Sequence, residues 1–273
     1  MQVMERGESP VLGQASGVYR EKPVSPMLRR HFVSAWFHQK PSGVARQTAV
    51  VPDACADLIW FGGNLLVAGP DHQVRFESVP PGATVVGMRF QPGAVAVWLG
   101  VPASAIVGAR IQLDCFCKGQ AQELIDLIGD TRDPAVAARR LEAALEKIAG
   151  DLASPANSSR IILESLTQTR EARGSITRQL TSALGTSERT LRRHCEQGFG
   201  YGPKTLDRVL RMQRFLELAK THRALDLANL AAAAGYADQA HLSREARRLA
   251  GLTPATILVQ LCGSGSMRGS LNP

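Results

Sequence analysis

Two textures of apolar spacing divide the chain. Between about Val18 and Cys117, short runs rich in β-branched and aromatic residues stand at Thr48 to Val51, Leu58 to Phe61, Leu65 to Ala68 and Thr84 to Phe90. Turn-forming clusters separate them, at Pro41-Ser42-Gly43, Gly62-Gly63-Asn64, Pro70-Asp71, Pro80-Pro81-Gly82 and Pro92-Gly93. Runs of that length bounded by Gly and Pro predict strands, and several in succession predict a mostly β domain, a small barrel or sandwich. The stretch Met27 to Trp36 suits helix or strand equally by periodicity. After Cys117 the apolar residues fall at helical spacing instead. Ala121, Leu124, Ile125 and Ile128 mark a helix over 120–128, Val136, Leu141, Leu145 and Ile148 one over 134–149, and Ile161, Ile162, Leu163 and Leu166 one over 155–168. Pro134 suits a first helical turn, where its missing N–H has no partner to lose.

Further along, a helix, a tight turn and a second helix are written twice. Ile176, Leu180 and Leu184 share one face, Gly185 stops that helix, Ser187 is placed to cap the next, Glu188 sits at its positive end and Leu191 anchors it inward. The plan returns with an apolar helix over 225–234, a stop at Gly235, a cap at Asp238 and the inward anchor Leu242. Between the two units Pro203 opens a long helix to about Lys220, with Leu206, Val209, Leu210 and Phe215 on its apolar side, which fixes the separation of the two units. Each second helix carries polar side chains suited to base edges and phosphates: Arg189, Thr190, Arg192 and Arg193 in the first, Gln239, His241, Ser243 and Arg244 in the second. The fold expected is α+β in two parts, with segments at 1–17 (disordered), 18–117 (mostly β), 118–169 (helical connector), 170–262 (all-α double helix-turn-helix) and 263–273 (disordered).

Charge sharpens this division. Residues 1–169 carry sixteen Lys+Arg and sixteen Asp+Glu, whereas residues 170–273 carry sixteen against eight, so the net +8 lies wholly in the helical end. A concentrated cationic region of that kind suits a polyanion such as DNA. The composition, 44% hydrophobic and 21% charged, is that of a soluble globular chain. The apolar stretch Ala94 to Val101 is too short to span a bilayer, and Met1 to Pro10 lacks the layout of a secretory signal, so a cytoplasmic location is expected, with no membrane partner. Five cysteines, Cys55, Cys115, Cys117, Cys195 and Cys262, are odd in number and scattered, which predicts reduced thiols; Cys115 and Cys117 have no second close pair for a metal site. No G-x-S-x-G elbow, phosphate-binding loop, H-E-x-x-H or Cys-x-x-Cys pair is present, so no catalytic residue, cofactor or metal is expected.

The residues from Leu180 to Arg193, Gly200-Tyr201-Gly202-Pro203, Arg211 to Arg214, Gly235 to Arg244 and Gly251-Leu252-Thr253-Pro254 together resemble the DNA-binding module of the AraC family of transcription regulators. The resemblance implies two recognition helices entering successive major grooves, about 34 Å apart. By position in that motif, Arg189, Thr190, Arg192 and Arg193 belong to the first half-site and Gln239, His241, Ser243 and Arg244 to the second. Arg247, Arg248, Arg208 and Arg211 are expected to touch phosphate or face water. The chain departs from the family at Cys195, Ala246 and Ala250, where aromatics are usual, and at Ile257-Leu258, where an aromatic followed by Arg is usual. Phe215 stands where a small residue is common, and is expected to fill part of the space those smaller residues leave.

Ahead of this module, Val51 to Trp60, Ala68-Gly69-Pro70 and Val86 to Ala94 resemble an uncharacterised domain found in a branch of AraC-like regulators. By analogy such a domain senses a small molecule or dimerises. Trp36, Asp57, Trp60, His72 and Arg89 are candidates for an effector pocket; the plainer reading has Asp57 and Arg89 pairing with each other or anchoring turns, and the two tryptophans in the core. The partners expected are double-stranded DNA, RNA polymerase and a small-molecule effector, for a monomer or homodimer that activates or represses. The rival functions are an AraC-like DNA-repair methyltransferase, for which Cys55 lacks the four-cysteine setting, and a protein-interaction module without specific DNA binding.

Overall fold

The computed structural model describes residues 10–43, 46–116, 118–129, 131, 133–168, 176–222 and 225–263. Among the described residues nine strands lie before residue 113, with one short α-helix ahead of the ninth, and the chain from residue 118 onward is helical, as the change in apolar spacing predicts. The strands are β1 (Val11–Leu12), β2 (Val18–Pro23), β3 (Phe32–Gln39), β4 (Thr48–Val50), β5 (Asp57–Phe61), β6 (Asn64–Ala68), β7 (Arg75–Glu77), β8 (Thr84–Phe90) and β9 (Arg110–Gln112). They form a six-stranded sheet of order β2-β3-β8-β5-β6-β9, antiparallel throughout, and a three-stranded sheet of order β1-β4-β7. Met27 to His31 is turn and the strand begins at Phe32, so the ambiguous stretch divides between the two. The β5–β6 hairpin closes through Gly62 and Gly63, both with positive φ, the two-residue connection whose twist suits adjoining antiparallel strands.

Period-two alternation sorts the large sheet into two faces. Ala35, Leu58, Leu65, Val67, Val86, Met88 and Phe90 point to one side and enter a single core with helices α1 (Ala94–Leu99), α2 (Lys118–Ile128) and α3 (Pro134–Ala149). Those helices supply Ala94, Val95, Leu99, Leu124, Ile128, Leu141 and Leu145 to that core. α3 starts where Pro134 predicts, and the Asp133 carboxylate accepts the Ala135 amide at 2.8 Å as its cap.

The remaining helices are α4 (Asn157–Gln168), α5 (Ile176–Leu184), α6 (Glu188–Phe199), α7 (Pro203–Thr221), α8 (Leu227–Ala234), α9 (Gln239–Ala250) and α10 (Pro254–Gly263). They build two further cores. The first takes Ile162 and Leu166 of α4, Leu180 of α5, Leu191, Cys195 and Phe199 of α6, and Leu206 and Val209 of α7. The second takes Met212, Phe215, Leu216 and Ala219 of α7 with residues of α8, α9 and α10. One helix therefore serves both units, its inward side passing from one core to the other between Val209 and Met212. Of the ends expected to be disordered, residues 1–9 and 264–273 lie outside the described residues, whereas Val11–Leu12 form β1 and Leu12 is buried against the second helical core. Among the described residues no helix is long and apolar enough to cross a membrane.

Candidate nucleic-acid interface

The first unit is made by local chemistry. α5 ends at Gly185, whose φ of +57 is left-handed and favours glycine. The Ser187 hydroxyl accepts the Thr190 amide at 3.2 Å, and Glu188 stands in the first turn, where the helix end is positive. Leu191 and Cys195 then point inward, which turns Arg189, Arg192 and Arg193 outward into solvent. Thr190 is half-buried and its hydroxyl pairs with that of Ser187 at 3.2 Å, so it serves the cap. Arg192 reaches Glu196 at 2.8 Å along the exposed helix surface, a pair weak enough for a phosphate to displace.

The second unit repeats the device. Gly235 ends α8 at φ +90, and the Asp238 carboxylate accepts the His241 amide at 2.6 Å to start α9. α8 begins at Leu227, two residues later than its apolar run suggests, because the Asp226 carboxylate caps it by accepting the Asn229 amide at 2.8 Å. Along α9, Leu242, Ala246, Leu249 and Ala250 are buried, while Gln239, Arg244, Arg247 and Arg248 are exposed. His241 and Ser243 are half-buried, the imidazole standing edge-on to Tyr236 with ring centroids 5.3 Å apart.

Two arginines expected to meet phosphate or water are otherwise engaged. Arg208 on α7 forms a forked pair with Glu245 on α9, at 2.8 and 2.9 Å, and so holds α9 against the shared helix. Arg211 pairs with Asp207 one turn earlier and lies over the Tyr236 ring at 5.6 Å. Neither was legible as structural, since their carboxylate partners are fixed by packing. Arg214, adjacent to the changeover between cores, donates to the Leu166 carbonyl at 3.1 Å and the Ala234 carbonyl at 3.3 Å, satisfying carbonyls in the last turns of α4 and α8. Phe215 is fully buried in the same core as Ala246, Ala250 and Ile257, where the expected refilling requires it.

In the β region, the structure gathers three of the five pocket candidates. Trp36, Asp57 and Arg89 lie on the sheet face away from the core. Trp36 Nε1 donates to Asp57 Oδ1 at 2.8 Å, and Arg89 lies 3.4 Å from Asp57, 2.8 Å from Asp53 and 3.8 Å from Glu21. Burial pushes the Asp57 carboxyl above the usual carboxylate range, against the pull of the Arg89 cation. Trp36 lies flat over Gly87, where a Cβ would stand 2.2 Å from the indole. Trp60 is on the opposite face, packed against the core, and His72 is exposed in the turn after β6. These five residues therefore do not line one wall. Surface clefts of 280 and 240 Å³ lie elsewhere, the first at Pro26, Met27, Arg30 and Gly150, the second beside Leu225 and Val259. Asp53 and Glu21 complete the cluster and were not singled out from the sequence; the charge at Asp53, inside the quoted Val51 to Trp60 motif, was the signal available.

A helix-turn-helix domain family matches residues 180–259. That segment is an AraC-type helix-turn-helix domain. A domain of unknown function matches residues 21–112, ahead of the AraC-type domain. No curated protein matches the chain. Among solved structures, ToxT from Vibrio cholerae is similar. An apo variant has a TM-score of 0.46 at 11% identity, covering 88% of this chain and 100% of that one. The wild-type protein with an unsaturated fatty acid bound has a TM-score of 0.44 at 12% identity, covering 85% and 96%. Together the AraC-type domain and the strands before it make the α+β, two-part architecture that the apolar spacing predicts.

Proposed function

We propose that this chain is a cytoplasmic, sequence-specific transcription regulator in which α6 and α9 enter successive major grooves of double-stranded DNA. The observation that carries the reading is the repeated construction of these two helices. Each is capped by a side-chain oxygen, buries an apolar stripe that begins with a leucine (Leu191, Leu242) in its own core, and leaves arginines exposed on the opposite side. Arg189, Arg192 and Arg193 serve the first half-site, with Thr190 placed at the helix start. Gln239, His241, Ser243 and Arg244 serve the second. Arg to guanine and Gln to adenine are the natural bidentate pairings. Arg247 and Arg248, near the end of α9, suit phosphate. The excess of cations over residues 170–273 supplies the sequence-independent part of the affinity.

The β region fits a sensor or dimerisation role, with RNA polymerase and a small-molecule effector as further partners. The pairing of Arg89 with Asp53 and Asp57, and of the Trp36 indole with Asp57, favours a structural use of that cluster over a ligand clamp, although Arg89 Nε itself makes no hydrogen bond. The methyltransferase alternative needs a thiol that ionises easily, whereas burial, aided by Asp53, pushes the Cys55 thiol well above its ordinary range. That observation favours the regulator.

The test compares selected and random duplexes across salt. Affinity for both is expected to fall steeply as salt rises, by roughly a thousandfold or more between 50 and 200 mM if six or more phosphates are met. Arg244→Ala is expected to cost about 1 to 3 kcal/mol on the selected duplex and to relax preference at one base pair, whereas Arg248→Ala should weaken every sequence alike. Parental behaviour of Arg244→Ala on both duplexes would show that the base contacts lie elsewhere.

A further inference from the structure

The segment Val51 to Ala56, between β4 and β5, touches both helix-turn-helix cores and the helix they share. Val51 packs against the second core and Ala54 is buried in the first. Between them the Pro52 carbonyl accepts Gln213 Nε2 at 2.6 Å. Gln213 lies on α7 immediately after the point where that helix passes from one core to the other. The other side of the segment is fastened to the large sheet. Asp53 pairs with Arg89 at 2.8 Å and accepts the Cys55 amide at 3.0 Å, and the Ala56 carbonyl accepts the Phe90 amide at 2.9 Å. Ala54 is held at φ +65, a left-handed conformation costly for a residue with a Cβ, and the only such non-glycine among the described residues. A strained residue persists where its surroundings over-determine it, and here those surroundings belong to three packing units at once.

Each unit also has its own seat on the β region. A Cβ at Gly200, which follows α6, would stand 2.6 Å from Val107 and 2.8 Å from Pro70; one at Gly251, which follows α9, would stand 2.9 Å from Phe76. Gln260 of α10 accepts the Leu12 amide at 2.8 Å and donates to the Pro10 carbonyl at 3.0 Å. The β region thus seats both units while leaving Arg189, Arg193, Arg244 and Arg247 exposed.

We infer that the Val51 to Ala56 segment is a splint that fixes the register of the two helix-turn-helix units, so that Gln213, Asp53 and Arg89 are positioning residues for the half-site spacing the protein accepts. The inference rests on the DNA-binding reading above. Along α7 the two cores lie on successive turns, already linked by the Arg208–Glu245 fork and by Arg214; the splint adds a tie from both cores and the changeover to the large sheet.

The test uses the full chain and the duplex it selects from random sequence. Three further versions of that duplex are needed: one with a base pair inserted between the half-sites, one with a base pair removed, and one with a single half-site retained. Gln213→Ala and the isosteric non-donor Gln213→Glu are expected to keep single-half-site affinity, and to lose about 5- to 10-fold on the parental spacing, the size of one hydrogen bond. Their penalty for altered spacing should shrink correspondingly. Asp53→Asn, which leaves α7 untouched, should give the same pattern. Equal loss on all four duplexes, or an unchanged spacing preference, would overturn the splint. A DNA-free readout separates this outcome from failure of the regulator reading. Distances between spin labels carried by noncanonical residues at positions 193 and 247 should be narrowly distributed in the parent and broader in Gln213→Ala and Asp53→Asn. If those distributions coincide in folded proteins, the splint is wrong whether or not DNA binds.

Discussion

Phe215 is buried in the same core as two of the small residues that depart from the family pattern. Ala246 and Ala250 are small where aromatics are usual, and Phe215 shares their fully buried core. Phe215→Ala is expected to cost about 3 to 5 kcal/mol, since it removes a buried ring and leaves a void. Ala246→Phe in the parent should cost roughly 1 to 3 kcal/mol by overpacking, and the double substitution should recover part of the first loss. Denaturant unfolding of the four proteins measures this, and simple additivity of the two losses would mean that the side chains do not share space. A second residue sets a pH dependence. His38 is buried at the end of β3, 3.2 Å from the Ser16 hydroxyl, and burial together with Lys40 lowers its pKa below 6.5. The neutral ring therefore contributes stability above that value, and the contribution is lost as pH falls through it, because the unfolded chain takes up the proton first. Melting temperature should drop between pH 7 and 5 by less in His38→Gln than in the parent; parallel curves would remove His38 as the cause.

At the scale of elements, the helix ends were the most legible features because their determinants are local. Ser187, Asp238, Gly185 and Gly235 occupy the cap and stop positions their chemistry dictates, and Ser187→Ala or Asp238→Ala should each cost about 1 kcal/mol of stability, read by thermal or denaturant unfolding. The long runs β5, β6 and β8 were equally plain. What escaped was set by tertiary placement. β2 is an edge strand exposed at every position, so it carries no apolar alternation to mark it, and its Arg20, Glu21 and Lys22 are charges of the kind that protect a sheet edge. α1 is an uninterrupted apolar run, which periodicity alone does not resolve into helix or strand. The candidate DNA contacts could be named from their spacing on two amphipathic helices. The Asp53 and Glu21 partners of Arg89 could not, because one lies in the segment before β5 and the other on β2, two strands away from Arg89 in the sheet.

On the scale of the molecule, charge and packing act together. Residues 170–273 hold the whole net cationic excess, while the β region, within the charge-balanced residues 1–169, seats both helix-turn-helix units without covering the arginines that face outward. On the proposed function, two readers held that way would recognise DNA as a pair of marks at a set distance, which distinguishes this account from nonspecific attraction to phosphate. The most direct measurement is selection of bound duplexes from a random-sequence pool at physiological salt, followed by sequencing. The account predicts enrichment of two conserved blocks whose centres lie about 10 to 10.5 base pairs apart, one helical turn. Recovery of unenriched sequence, or of a single block with no fixed companion, would contradict it.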